Sequence, residues 1–276
     1  MCRLYGQISL RPRTARDYLL DAEHSLFKQS FCRKDYPQKD GWGIGCYLRP
    51  SGATVNKSEK PLFHERRRFE LLAERSSSRI LIAHIRAASN PRNLPRRLLI
   101  GKQNSQPFSY GPLLFAHNGT LNIPQEVRKH LGPYRKRVRG FNDSEIYFWH
   151  LVKFWKRHRS IPIALRESLR ELQNIWSRCK KRYPKKKQPT TGLNTFLSDG
   201  KKLYAFCHYT SPGKKSLCTR NHSWGQLCWS RKGDRVLVAS EPMDGKSAWL
   251  KIPQGQLLEI RPQARGFFSR LHRIVS

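Results

Sequence analysis

The sequence has few acidic residues and no long apolar run. Only 19 of its 276 residues are Asp or Glu, against 54 Lys and Arg, and the formal net charge is +35. No stretch approaches the roughly 18 apolar residues that a membrane-spanning helix needs. The N-terminus, with Arg3 near its start, also lacks the long apolar region of a signal peptide. We therefore expect a soluble, cytoplasmic protein.

Cysteine pairs and cofactor motifs are also missing. The 7 cysteines are an odd number without paired spacing, which argues against a disulfide framework and favours reduced thiols. The segment "GWGIG" has neither the spacing nor the following helix of a phosphate-binding loop. We expect no cofactor and no metal, because no C-x-x-C pair or regular spacing connects the candidate ligands. Those candidates are Cys207, His208, Cys218, His222 and Cys228.

The basic excess is the most unusual feature that is present. It would attract phosphate backbones or other polyanions. The densest run lies between Ser177 and Pro189, and it is open to two interpretations: a solvated linker, or a contact for a polyanion such as nucleic acid. Its cations are Arg178, Lys180, Lys181, Arg182, Lys185, Lys186 and Lys187.

The hydrophobic pattern predicts strands at both ends of the chain and helices between them. Period-two or buried apolar runs predict strands in "CRLYGQIS", "GWGIGCYL", "RILIAHIRA", "GPLLFAHNG", "RVLVAS" and "QLLEIRP", and a hairpin around Asp199-Gly200. Helical spacing predicts helices in "TARDYLLDAEHSLFKQS", "RRRFELLAER", "NDSEIYFWHLVKFWKRH" and "IPIALRESLRELQNIWSRCKKRY". This order favours a layered α+β domain over a parallel βαβ fold.

Cys2 stands directly after the initiator methionine. If Met1 is removed, Cys2 carries a thiol beside a free α-amine whose pKa is about 7.7–8.0, which pairs a nucleophile with a base. By position alone, a small buried cysteine is the more common role.

Other polar residues at strand and helix ends have two interpretations each. Arg86 ends an apolar strand and suits a carboxylate, or else a structural ion pair. Asn118 and Gly119 form a pair of donors for an oxyanion, or else a simple turn. Asp143 begins a helix, where it would bind an ammonium group or cap the helix.

Taken together, these residues are more specific than any one of them. Cys2 is followed in order by "GWGIGCY", "AHIRAAS", "NSQPF", "FAHNGTLN", "NDSE", "LNTFLSDG" and "VASEPM". This series closely resembles the type-2 (class II) glutamine amidotransferases, which are N-terminal-nucleophile hydrolases, and within them the stand-alone YafJ-like branch. The resemblance implies a four-layer αββα sandwich. We expect the amidotransferase domain to span residues 2–262, followed by a short basic tail at 263–276.

The resemblance also implies a reaction and its residues. Cys2 would attack the γ-amide of glutamine or of a related γ-glutamyl compound and form a glutamyl thioester, which water hydrolyses to glutamate. Asn118 and Gly119 would stabilise the oxyanion, Arg86 would hold the substrate α-carboxylate, and Asp143 its α-ammonium. The stretch Ala87–Ser89 departs from the Trp-x-Thr-x-Gly pattern of the wider family. Ser89 or backbone N–H groups would therefore have to replace the missing hydrogen-bond donors to the substrate α-carboxylate.

Two questions stay open at this level. A separate partner subunit receives the ammonia, or water is the only acceptor. The alternative to an enzyme is an inactive amidotransferase-like protein that binds nucleic acid through its basic surface, with Trp149, Trp155 and Trp176 lying among basic residues. Those tryptophans are spaced to face a helix core, and all the catalytic-type groups are retained, so we favour the enzyme.

Overall fold

The chain forms two antiparallel sheets that lie between two layers of helices. The computed structural model describes residues 2–33, 35–49, 52–210, 215–219 and 221–275. Met1, and with it the expected removal of that residue, lies outside the described residues.

The strands and helices are numbered along the chain. The strands are β1 (Arg3–Arg13), β2 (Trp42–Arg49), β3 (Gly52–Ser58), β4 (Ser78–Ile85), β5 (Phe108–Tyr110), β6 (Leu113–Leu121), β7 (Thr190–Ser198), β8 (Leu203–Cys207), β9 (Cys228–Lys232), β10 (Arg235–Ala239), β11 (Leu250–Lys251), β12 (Gln256–Gln263) and β13 (Gly266–Arg273). The α-helices are α1 (Leu26–Gln29), α2 (Arg66–Arg75), α3 (Arg96–Leu99), α4 (Pro124–Lys129), α5 (Asp143–His158) and α6 (Ile161–Cys179).

The first sheet has the strand order β11-β9-β10-β1-β4-β2-β3, and the second has the order β13-β12-β8-β7-β6-β5. Strand β1 is central in the first sheet because it pairs antiparallel with both β10 and β4. Alternate residues of β1 face opposite layers, as the period of two requires. Leu4 and Ile8 pack between the two sheets, whereas Tyr5 packs against the outer helical layer.

Three buried apolar clusters account for the four layers. One lies between the sheets and includes Leu4, Leu114 and Phe196. A second joins the outer face of the first sheet to α1 and α2, and a third joins the outer face of the second sheet to α4, α5 and α6. The predicted four-layer αββα sandwich is therefore confirmed, with each sheet buried on both faces.

Two details of the prediction are wrong. The helix expected over residues 14–30 is a π-helical turn at Asp17–Asp21 followed by the short helix α1, because Ala22 turns extended and Ser25 caps a new helix by accepting from the Lys28 N–H. The tail expected at 263–276 contains β13, which pairs with β12 along its whole length. Its aromatic and basic residues extend the second sheet.

The basic run and the tryptophans separate in the fold. All seven cations of the run are exposed, at the end of α6 and in the turns that follow it. Trp149 and Trp155 are buried in the core between α5 and the second sheet, and Trp176 packs against the same core. No helix in the described part of the chain is long and apolar enough to cross a membrane.

Candidate active site at the ends of β1, β4 and β6

Cys2 lies immediately before β1 and is buried, with 8% of its surface exposed. Its thiol donates to the carbonyl of Ala87, with 3.5 Å between Sγ and the oxygen. Burial raises the pKa of the Cys2 thiol, and the nearby Asp143 carboxylate raises it further. The positive charge of the nearby Arg86 partly opposes this shift in the Cys2 pKa. The resting Cys2 thiol is therefore protonated, and a base must remove its proton before the sulfur can attack.

The segment after β10 fixes the start of β1. The Ser240 hydroxyl accepts from the Leu4 N–H at 2.9 Å, and the Ser240 N–H donates to the Leu4 carbonyl at 3.0 Å. The next residue, Glu241, lies 3.8 Å from the Arg3 guanidinium, and both side chains are fully buried. The "VASEPM" motif thus holds the two residues that follow the candidate nucleophile.

Arg86 follows the last residue of β4 and is 3% exposed. Its Nη1 donates to the backbone carbonyls of Asp40 and Leu99, at 3.2 and 2.7 Å. In the described part of the chain, Nη2 has no protein partner, and it is not among the fully enclosed polar atoms. One end of the guanidinium is anchored to the backbone, and the other is available to an anion.

The segment after Arg86 is tied to its surroundings at consecutive residues. The Ala88 N–H donates to the Asp40 carboxylate at 2.8 Å, and Arg96 pairs with the other oxygen of the same carboxylate. The Ser89 hydroxyl donates to Asp143 Oδ1 at 3.1 Å. Two of the groups expected to donate to the substrate α-carboxylate therefore donate to carboxylates of the protein instead: Ser89 to Asp143, and the Ala88 N–H to Asp40.

Asp143 is the first residue of α5, but it does not cap the helix. Asn142 is the cap, because its side chain accepts from the Ser144 N–H. The Asp143 carboxylate instead accepts from the Leu121 N–H at 2.7 Å, at the end of β6, and from Ser89. Burial raises the pKa of Asp143 above its usual value despite these donors and the nearby Arg86. A buried carboxylate of this kind would be stabilised by a bound cation.

Asn118 and Gly119 lie near the end of β6. Asn118 is 3% exposed, and its Oδ1 is enclosed without a hydrogen-bond partner in the described structure. Gly119 is opposite Leu193, whose N–H donates to His208 on the far side of β7. The Gly119–Leu193 pair is therefore of the type that exchanges no backbone bonds, and the Gly119 N–H faces away from β7.

Close packing explains why residue 119 is glycine. A Cβ built on Gly119 would lie 1.9 Å from the Gly192 carbonyl oxygen. The ring of His117 fixes the same region, with its Nδ1 3.0 Å from the Ser144 hydroxyl and its Nε2 3.3 Å from the Gly192 carbonyl. Burial lowers the pKa of His117 to about 4, so the ring is neutral and donates from Nε2 to the carbonyl.

Gln106 connects the two sheets behind the site. Its amide accepts from the His117 N–H and donates to the His117 carbonyl, at 2.7 and 3.0 Å. Its Nε2 also lies 3.4 Å from Nε2 of His84, whose pKa burial lowers well below the usual value. A Cβ on Gly43 of β2 would lie 2.3 Å from the Gln106 carbonyl oxygen, so this glycine permits the close approach.

The structure brings several predicted residues into one neighbourhood. Cys2 contacts the residue after Arg86, Arg86 and Asp143 each influence the Cys2 thiol, and Asp143 bonds the strand that carries Asn118 and Gly119. Sequence reasoning assigned no role to the residues that hold this set in place. Their only signal was that most of them lie inside or next to the motifs that carry the family resemblance. They are Asp40, His84, Gln106, His117, Ser240 and Glu241.

The suspected metal ligands do not assemble. Within the described ranges, no group of three or more His, Cys, Asp or Glu side chains is arranged to hold a metal ion. His222 is instead bonded to the Gln226 carbonyl at 2.7 Å, and Cys207 and Cys228 are buried among apolar residues.

The sequence of this chain is similar to those of class-II glutamine amidotransferases and a γ-glutamyl hydrolase. The family model "Glutamine amidotransferases class-II" matches residues 24–266. A protein of Saccharomyces cerevisiae, "Probable glutamine amidotransferase DUG3", is 24% identical over 95% of this chain and 82% of its own. "Gamma-glutamyl-hercynylcysteine sulfoxide hydrolase" of Mycolicibacterium smegmatis is 26% identical over 95% of this chain and 96% of its own. "Putative glutamine amidotransferase YafJ" of Escherichia coli is 26% identical over 80% of this chain and 84% of its own.

Solved structures agree on the fold. A glutamine aminotransferase class-II domain protein from Silicibacter pomeroyi superposes with a TM-score of 0.63 at 17% identity and covers 98% of both chains. The glutamine phosphoribosylpyrophosphate amidotransferase of Bacillus subtilis superposes with a TM-score of 0.62 at 18% identity, over 99% of this chain and 49% of its own.

Proposed function

Because the chain belongs to the class-II glutamine amidotransferases, we propose that it hydrolyses the γ-amide of glutamine or of a γ-glutamyl compound, with Cys2 as the nucleophile. The observation that carries the proposal is the position of the Cys2 thiol, buried at the start of the central strand and in contact with the segment that follows Arg86. The relatives named "Probable glutamine amidotransferase DUG3" and "Gamma-glutamyl-hercynylcysteine sulfoxide hydrolase" each align over 95% of this chain, which supports this reaction class.

In the first half of the reaction, Cys2 Sγ attacks the γ-carbonyl carbon while its proton passes, through a water, to the α-amine of the same residue. The negative charge then moves to the carbonyl oxygen, where the Asn118 amide and the Gly119 N–H donate to it, each worth about 3–4 kcal/mol in comparable sites. When the tetrahedral intermediate collapses, the C–N bond breaks and the leaving amine takes the proton.

In the second half, a water attacks the glutamyl thioester under the same base. The C–S bond breaks, glutamate leaves and the thiol regains its proton. This cycle requires that Met1 has been removed, since an acylated nitrogen is not basic.

The two charged residues would select the substrate. The free end of the Arg86 guanidinium would bind the α-carboxylate, and the Asp143 carboxylate would bind the α-ammonium. Both partners exist only when the α-groups of the glutamyl residue are free. The enzyme would therefore accept glutamine and γ-glutamyl compounds and reject glutamine inside a peptide.

Water is the acceptor in our proposal, and the reaction takes place in the reducing environment of the cytoplasm, which suits a cysteine nucleophile. The other arrangement is a separate partner subunit that takes up the ammonia. Ammonia and glutamate released in equal amounts by the isolated protein would support water as the sufficient acceptor, whereas activity that depends on an added protein would support the partner.

A contact with a polyanion is a second candidate property. Six of the seven cations in the basic run have no ion pair among the described residues, and only Arg182 pairs with a carboxylate, that of Glu126 at 3.0 Å. An exposed cluster of this kind binds phosphate backbones through electrostatics and without sequence preference. We propose it as an addition to the enzyme activity.

The test of the reaction is glutamate release from a matched substrate series. The protein, shown by mass to begin at Cys2, is incubated with glutamine, with γ-glutamyl amides including glutathione, and with N-acetylglutamine. We expect glutamate from at least one of the first two groups. N-acetylglutamine lacks the α-ammonium, and cleavage of its γ-amide would give N-acetylglutamate and ammonia, so both products are measured and we expect neither. Cleavage of N-acetylglutamine at the rate of glutamine would contradict the clamp, and cleavage of no compound would contradict the reaction.

A further inference from the structure

Two cysteines outside the candidate active site lie in direct contact. The Cys218 thiol donates to the Cys32 sulfur, and the two sulfurs are 2.8 Å apart although the residues are 186 positions apart in sequence. This separation is less than about 1 Å longer than the roughly 2.05 Å of a disulfide bond. Nothing in the amidohydrolase reaction uses either thiol.

The pair also differs from the other cysteines in accessibility. Cys32 is exposed and Cys218 is half-buried, whereas the remaining five cysteines are buried. The Cys218 thiol and the nearby Arg3 guanidinium lower the pKa of Cys32, while contact with Cys32 and burial raise that of Cys218. Cys32 therefore has the properties of an attacking thiolate, and Cys218 lies in position to resolve the product.

The pair is connected to the candidate nucleophile through a buried carboxylate. Glu241 Oε2 accepts from the N–H groups of Cys218 and Thr219, at 3.0 and 2.9 Å, while Glu241 Oε1 lies 3.8 Å from Arg3. The Arg3 guanidinium also lies 3.9 Å above the ring of Trp224. A covalent bond at the pair would thus fix the layer that covers the residue directly after Cys2.

We propose that Cys32 and Cys218 are a redox modification site, which closes reversibly to a disulfide that fixes the Cys218–Thr219 segment on Glu241. The oxidant is a low-molecular-weight disulfide. The Cys32 thiolate attacks one of its sulfurs, forms a mixed disulfide and expels one small thiol. Cys218 then attacks the Cys32 sulfur and expels the second. The two protons lost by the cysteines end on the two small thiols, and the protein pair loses two electrons to the oxidant.

The first test maps the bond in the full chain. The protein is equilibrated in glutathione buffers of increasing disulfide content, quenched with acid, alkylated and digested, and the glutathione left in each buffer is measured because it is also a candidate substrate. We expect a peptide that joins Cys32 to Cys218 in oxidising buffer and two alkylated thiols after dithiothreitol. Any adduct on Cys2 is found in a different peptide and does not interfere. Stable glutathione on Cys32 beside a free Cys218 would overturn the proposal.

Matched serine variants separate the two roles. In Cys218→Ser, glutathione should accumulate on Cys32, because the resolving thiol is missing. In Cys32→Ser, Cys218 should stay free, because it is less accessible and its pKa is raised. Equal glutathione on the remaining cysteine of both variants would contradict the assignment of attacking and resolving thiols.

Hydrogen exchange tests the link to Glu241. The Cys218 and Thr219 amides should exchange at least about 10-fold more slowly in the oxidised wild type than in the reduced one, since the bond restrains local opening. In Cys32→Ser the same buffers should produce no change. Equal rates in the two wild-type states would show that the bond, even if it forms, does not fix this segment.

Discussion

The two sheets contribute to the site in different ways. At the first sheet, Arg86 Nη1 donates to two backbone carbonyls, and the Leu4 N–H of β1 donates to the Ser240 hydroxyl. At the second sheet, Asn118 and Gly119 lie near the end of β6. The carboxylate of Asp143, the first residue of α5, accepts from the Leu121 N–H of the same strand, and its burial raises its pKa.

Each side therefore provides one group for the chemistry and one for binding. The first sheet places the nucleophile Cys2 and the guanidinium of Arg86. The second sheet and α5 place the proposed oxyanion donors, Asn118 and Gly119, and the carboxylate of Asp143. Preorganised donors are worth most where charge develops during a reaction. Variants of the chemical groups should therefore mainly lower kcat, and variants of the binding groups should mainly raise KM.

The largest expected effect is at the start of the first sheet. Cys2→Ala should lower kcat by about 10⁴-fold or more, because no other nucleophile replaces the thiol. A Cys2 protein that retains Met1 should lose activity to a similar extent, although it has the same thiol. The comparison is made by glutamate release, with the N-terminus verified by mass. Full activity with Met1 retained would remove the α-amine from the mechanism.

The next effect is at the oxyanion position in the second sheet. Asn118→Ala should lower kcat by about 10²–10³-fold and change KM little, because the amide acts on charge that exists only in the transition state. Asn118→Asp is the matched control of similar size, and it should be at least as impaired, since a carboxylate repels the oxyanion. A change confined to KM would contradict the role of Asn118.

The titration of Asp143 should determine how KM depends on pH. Asp143→Asn should raise KM by at least about 30-fold, because it removes one partner of a buried charge pair. In the wild type, KM should rise as pH falls through the Asp143 pKa, which burial places above the usual value. Since the Ser89 hydroxyl lowers that pKa, Ser89→Ala should move the acid limb to higher pH. KM is measured across acidic pH, and a limb in Ser89→Ala that stays in place or moves to lower pH would contradict this assignment.

The effect at Arg86 should be smaller and confined to binding. Arg86→Lys keeps the charge but loses the planar fork, so KM should rise by about 10–30-fold while kcat stays within a few-fold. The measurement is steady-state kinetics with glutamine. An equal loss in kcat would mean that Arg86 contributes to the transition state and not to binding alone.

The smallest effect on catalysis is expected from changes in the exposed basic run at the end of α6. Replacing the seven cations from Arg178 to Lys187 with Gln should leave glutamine hydrolysis unchanged. Binding to duplex DNA should weaken, and its log–log salt slope should become shallower by about 0.9 for each DNA phosphate that the protein no longer neutralises. The control replaces the exposed Arg66, Arg67 and Arg75 of α2, on the opposite helical layer. A change in slope equal per charge in both variants would indicate binding without a dedicated surface.

Sequence patterns predicted those parts of the fold that depend on local periodicity. The strands β1, β4 and β6 and the helices α5 and α6 lie where apolar spacing predicted them. Strand β3 was not predicted, because its residues are mostly half-buried and polar and give no apolar run. The helix expected before β2 failed because Ser25 starts a new helix within an unbroken apolar pattern.

The site itself was only partly accessible from the sequence. Several motifs contain a residue whose side-chain chemistry suggests a catalytic or binding role, such as Arg86 or Asn118. The supporting contacts join residues far apart in the chain, such as Asp40 with Ala88 and Gln106 with His117. Such pairs carry no periodic signal, because they depend on how loops meet after the sheets have packed. That Ser89 bonds Asp143 could only be learned from the fold.

Trapping the acyl-enzyme tests the central claim most directly. The protein beginning at Cys2 is mixed with a saturating γ-glutamyl substrate, quenched in acid within a single turnover, and its N-terminal peptide is analysed by mass spectrometry. We predict that the Cys2 peptide gains the mass of one γ-glutamyl group, which hydroxylamine removes, and that Cys2→Ala gains none. Turnover of the substrate with no such adduct on Cys2, or with the adduct on another residue, would contradict the proposed mechanism.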